Sequence, residues 1–149
     1  MLYCKVIVSE NLVLKNKAIH EGYIYIGPAS LCPCPDINSP FLVITGDDNK
    51  YADILIRERS RTHFRTDPKL EIIHGVIGKE GGKRTWYTFN KSSMNGIFAS
   101  PLIKWCNPSQ QLELLRRSEI QSRKLEAFIQ DSSLLKTGTN NFNISIAQG

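Results

Sequence analysis

Two short polar stretches carry the residue types that could hold an anion. Ser60-Arg61-Thr62-His63 places a hydroxyl, a guanidinium and an imidazole within four residues. Ser92-Ser93-Met94-Asn95-Gly96 places hydroxyls and a carboxamide before a turn glycine. A phosphate dianion needs several donors and positive charge. Ser60 offers a hydroxyl and a backbone N–H, and the Arg61 guanidinium can fork onto phosphate oxygens. Asn95 has both a donor and an acceptor, which suits clamping a peptide backbone beside the phosphate. Gly96 allows the backbone conformation such a turn demands. Each stretch also has a plain structural explanation. The first reads as a loop entering a strand, with His63 a hydrogen-bonded and partly buried histidine. The second reads as a hairpin turn.

Other chemistry is poorly represented. There is no G-x-S-x-G, H-E-x-x-H or phosphate-loop pattern, so an enzyme is not the expectation. The four cysteines are Cys4, Cys32, Cys34 and Cys106, and the C-P-C-P pair at 32 and 34 has no second pair or suitably spaced histidines. No metal site and no cofactor are expected, and free thiols fit a reduced intracellular protein. Gly78-Lys-Glu-Gly-Gly-Lys83 sits between strand-like runs and reads as a solvated hairpin turn.

The elements that must position these residues read mainly as strands. Residues 3–8, Tyr23–Ile26, Phe41–Thr45, Asp53–Ile56 and Phe142–Ile146 are short β-branched or aromatic runs bounded by turn residues. Residues 28–40, with Pro28, Pro33, Pro35 and Pro40, form a loop. Arg57, Glu58, Arg59 and Arg61 crowd a charged loop around Ser60. Leu70–Ile77 and Arg84–Phe89 flank the glycine-bearing turn as a hairpin, and Leu102–Trp105 reads as extended. Gln110–Gln130 lacks Gly and Pro and is rich in Leu, Glu, Arg and Lys, so a helix is expected there. Many short strands with turn signals argue for an all-β sandwich.

The order Gly46…Asp53-Ile54, then Ser60-Arg61-Thr62-His63, then Ser93-Met94-Asn95-Gly96, resembles the forkhead-associated (FHA) domain. The likeness covers roughly residues 41–103. It implies an FHA-like β-sandwich over residues 1–149 as a single domain, with a helical insertion at 108–131. It also implies that loops at one end of the sandwich bind a phosphothreonine peptide. Ser60 and Arg61 would touch phosphate, and Asn95 and Ser93 would hold the peptide. Gly46, His63 and Gly96 would scaffold the loops. The family has arginine directly after the glycine aligned with Gly46, whereas this chain has Asp47-Asp48. Lys50, Arg57 or Arg59 would have to supply the missing charge.

The chain has 149 residues and a net charge of +5, enough for one domain with a real core and suited to an acidic partner. No apolar run reaches the roughly 20 residues of a membrane span, and the amino-terminal segment reads as a strand and not as a signal peptide. Three readings follow. The first is a phosphothreonine-dependent interaction module whose partner is a phosphorylated protein, nuclear rather than cytoplasmic. The second is a degenerate module for phosphate-independent interaction or self-association. The third is a basic nucleic-acid-binding domain, disfavoured because no dense Lys/Arg block carries interleaved aromatics.

Overall fold

Phe41-Leu-Val-Ile-Thr45 is buried at every position. A strand covered on both faces belongs inside a parallel sheet with layers above and below it, and that is where the structure has it. The computed structural model describes residues 2–7, 20–34, 39–64, 69–99, 111–133 and 139–147. The elements are β1 (Leu2–Ile7), β2 (His20–Ile26), β3 (Phe41–Thr45), α1 (Asn49–Phe64), β4 (Leu70–His74), β5 (Val76–Ile77), β6 (Gly82–Phe89), β7 (Leu114–Arg123), α2 (Leu125–Asp131) and β8 (Thr139–Ile146). Short 3-10 turns lie at Ala29–Leu31 and Ser92–Met94.

The main sheet has the order β1-β8-β2-β3-β4. β2 runs parallel to both β3 and β8, and β3 runs parallel to β4. β1 closes the edge antiparallel to β8. Alternation along these strands sends side chains to two different cores. One face gathers Tyr25, Phe41 and Val43 against Ala52 and Ile56 of α1 and against Ala29 and Cys32 of the β2–β3 connection. The other gathers Ile24, Ile26, Leu42, Ile44, Phe142 and Ile144 against Phe128 of α2. Cover on both faces of a mostly parallel sheet makes this a doubly wound α/β architecture. β5, β7 and β6 form a second, smaller sheet in that order, with β6 antiparallel to β7. Its core is Val76, Trp86 and Ile120.

The all-β sandwich expected from the sequence is therefore not the fold: the sheet is mostly parallel and helices cover it. Asp53–Ile56 and the charged run after it are one helix. Asp48 caps it, its Oδ1 accepting from Tyr51 N–H at 3.1 Å. Ala52, Ile56 and Ser60 then recur at helical spacing as its buried stripe. The expected helix at 110–130, given above as an insertion at 108–131, is also redrawn. Residues 114–123 are strand β7, paired along its length with β6, and only Leu125–Asp131 is helical. Leu70–Ile77 and Arg84–Phe89 do not pair as a hairpin, because β7 lies between β5 and β6 and β4 joins the main sheet. The strands expected at Tyr23–Ile26, Phe41–Thr45 and Phe142–Ile146 do form. The extended stretch expected at Leu102–Trp105 lies outside the described residues.

Candidate functional site at the carboxyl edge of the main sheet

β2 lies between β3 and β8, so the chain leaves β2 to one side first and returns on the other side much later. In open α/β sheets a reversal of this kind marks a topological switch point, the place outside the strand ends where such sheets hold ligands. Three carboxyl ends meet here. Gly27 follows β2, Gly46-Asp47 follows β3 and Ala147 follows β8. Backbone bonds tie them, with Gly27 N–H donating to Ile44 O at 3.1 Å and Ala147 N–H to Ile26 O at 2.7 Å. Gly27 has φ +150°, and a Cβ there would stand 2.7 Å from Ala147 O. Only glycine fits this position. Tyr25 Oη donates to Pro28 O at 2.6 Å and fixes the first turn of the exit loop.

Asp47 is the most heavily used side chain at this edge. It is 4% exposed. Its Oδ2 accepts from Ala29 N–H at 2.9 Å. Its Oδ1 accepts from Trp86 Nε1–H at 3.1 Å and from Asn95 Nδ2–H at 2.8 Å. Asn95 Oδ1 in turn accepts from Phe89 N–H at 2.8 Å, which fixes the orientation of the amide. One carboxylate thus joins the β2 exit loop, the end of β3, strand β6 and the second 3-10 turn. The Trp86 ring lies flat on Gly46, where a Cβ would approach ring atoms within 2.0 Å. Three N–H donors compensate the buried charge, as burial requires.

Among the described residues, three buried hydroxyls have no hydrogen-bond partner: those of Ser30, Ser60 and Ser145. Ser30 lies in the exit loop of β2. Ser145 lies near the end of β8, in register with Tyr25 of β2. Ser30 thus lies three residues after Gly27, and Ser145 two residues before Ala147. An unpaired buried hydroxyl is uncommon and calls for a partner such as water or a ligand.

The residues expected to bind a phosphopeptide are distributed differently from that expectation. Ser60 and Arg61 lie within α1, Ser60 fully buried and Arg61 on its exposed side. Lys50 is exposed on the first turn of α1. Arg57 pairs with Asp53 at 2.8 Å on the same helix. Arg59 donates to Cys32 O at 2.8 Å and Ser30 O at 3.3 Å, pinning the exit loop of β2. His63 is in α1. Ser93 is half-buried in the second 3-10 turn, and Gly96 bridges to Tyr87. Of the expected set, Asn95 and Gly46 come together, and they meet around Asp47.

Burial pushes the Cys32 thiol well above its ordinary range, partly offset by the Arg59 guanidinium. Among the described residues no cluster of His, Cys, Asp and Glu could hold a metal ion, and no helix is long and apolar enough to cross a membrane.

The sequence shows Asp47 only as a carboxylate where the resemblance expects arginine, and not as the centre of this network, while Trp86 is buried in the core of the smaller sheet. The signal that could have found this site is the interval of twenty residues from Gly27, after a strand, to Asp47, after the next strand. In a doubly wound sheet that spacing places an acidic residue at the carboxyl end of the neighbouring strand. No protein-family model, no curated protein and no solved structure matches this chain.

Proposed function

We propose that this domain binds a small polar ligand of the nucleoside class in the crevice outside the carboxyl ends of β2 and β8. The observation that carries the reading is the strand order, with β2 parallel to its neighbours on both sides. Open α/β sheets hold their ligands at that point. Gly27 keeps the end of β2 free of a side chain, and Ser30 and Ser145 offer hydroxyls that lack partners. Asp47 organises the wall. Its three bonds hold the exit loop, Trp86 and Asn95, leaving about one of a carboxylate's four acceptor positions. The ligand class follows from the sheet architecture and not from a recognised side-chain contact. Thermal unfolding in the presence of a ribonucleoside panel tests it. A ligand at about 100 times its Kd adds about 2.7 kcal/mol, which raises Tm by several degrees. No rise with any nucleoside contradicts the reading.

A second reading, phosphate-independent protein interaction, is favoured by the same carboxylate. Asp47 is nearly saturated by donors of its own chain, so the crevice wall is already complete without a ligand. In that case a stable complex with an acidic protein forms while every nucleoside leaves Tm unchanged.

A further inference from the structure

We infer a second site, for a phosphate monoester group, in the groove beneath the Gly78–Gly82 turn. The groove has a volume of about 290 Å³, and its lining includes Lys79, Lys83, Arg84 and Ser122. Glu80 contributes the one carboxylate of the lining. Lys83 is already paired, at 3.1 Å, with Glu119, and both side chains are largely solvated. Among the described residues the side chains of Lys79 and Arg84 make no ion pair or hydrogen bond, so the lining sets two unpaired cations against the single carboxylate of Glu80. A mobile lysine and a forked guanidinium around one small volume match a phosphate, which accepts from several donors at once.

The backbone adds to this. A Cβ at Gly82 would meet nothing within 4 Å, and one at Gly81 would meet only Ser122 O at 3.8 Å. Gly82 is held by its φ of +147°, which favours glycine whatever the space around it, whereas Gly81 is not required by packing; together the two leave the main chain open to a ligand's oxygens. Ser122 is 2% exposed, and its hydroxyl spans a long 3.4 Å to Glu80 O. That weak bond leaves the floor of the groove with a hydroxyl ready to turn toward an anion. Strand alternation puts Arg84 on the face of β6 that Ser122 shares through its register with Gly82, while Lys83 turns to the other face toward Glu119, so Lys79 and Arg84 are the cations of the site. The site is separate from the crevice: Gly82 and Trp86 are four residues apart on β6, about 13 Å along the strand.

The test is titration of the whole protein with inorganic phosphate and with phenyl phosphate, followed by backbone amide NMR. Saturable shifts at Gly81, Gly82, Arg84 and Ser122 are expected with both probes. Phenyl phosphate distinguishes an ester site from one that takes only the free ion. Lys79 and Arg84 are exposed, so Lys79→Gln and Arg84→Gln fold normally and each weakens binding about tenfold. Lys50→Gln, on α1, leaves it unchanged. Absence of saturation, or equal binding by the Lys79→Gln/Arg84→Gln double variant, overturns the site. Binding of inorganic phosphate without phenyl phosphate overturns the ester assignment. Adenosine carries no phosphate and leaves these amides unmoved, so failure here is distinguishable from failure of the crevice.

Discussion

At Asp47, one side chain serves four segments. Removing its carboxylate leaves the Trp86 indole N–H, the Asn95 amide and the Ala29 N–H buried without an acceptor. Asp47→Ala is expected to lower the urea unfolding free energy by about 2–4 kcal/mol, and a loss below about 0.5 kcal/mol contradicts the network. Cys32 supplies a pH prediction. Its folded thiol keeps its proton to a higher pH than the unfolded chain's thiol, whose ordinary value is 9.0. The stability it contributes is therefore full below that value and is lost as pH rises above it. The stability difference between wild type and Cys32→Ala should be constant through neutral pH and shrink above pH 9.0. A constant difference throughout contradicts the burial argument. Asn95 was legible in the sequence as a residue with a specific role. What it holds was not legible, because a carboxamide clamps a buried carboxylate with the same atoms that would clamp a peptide.

At the scale of elements, α1 shows why local reading failed. Asp53-Ile-Leu-Ile is β-branched and Arg57–Arg61 is charged, so the pieces read as a strand and a loop. Among the described side chains the fully buried stripe of the helix is Ala52, Ile56 and Ser60, with Leu55 part-buried beside it, and its last member is a serine. Tertiary packing on Tyr25 and Val43 outweighs propensity. Strand β7 is the opposite case. Its Leu, Glu and Arg content favours helix, but the burial of Ile120 and Ser122 and the part-burial of Ser118 fall at every second residue. Pairing with β6 decides it. The helix assignment makes Ser60 a buried hydroxyl without a partner. Ser60→Ala removes that group and improves helix propensity, so a stabilisation of about 0.5–1 kcal/mol is expected by urea denaturation. A clear destabilisation would show that Ser60 has a partner the hydrogen-bond network lacks.

For the whole molecule, the strands of the main sheet were largely visible and its connectivity was not. Tyr23–Ile26, Phe41–Thr45 and Phe142–Ile146 announce themselves by composition. Nothing local says that Ile24 pairs with both Leu42 and Ile144 in parallel. Antiparallel neighbours joined by tight turns leave a turn signature between them, whereas parallel neighbours are separated by whole crossovers. The Pro-rich stretch after β2 hid one such crossover, because it fills the place of a helix with a 3-10 turn and buried Ala29 and Cys32. Once the order is known, the functional question moves from loops at the end of a sandwich to the carboxyl edge of a doubly wound sheet. Backbone amide NMR during titration with a ribonucleoside tests that move most directly. Saturable shifts centred on Gly27, Ala29, Ser145 and Ala147 are predicted. No shifts, or shifts only at residues far from the carboxyl ends of β2 and β8, would contradict it.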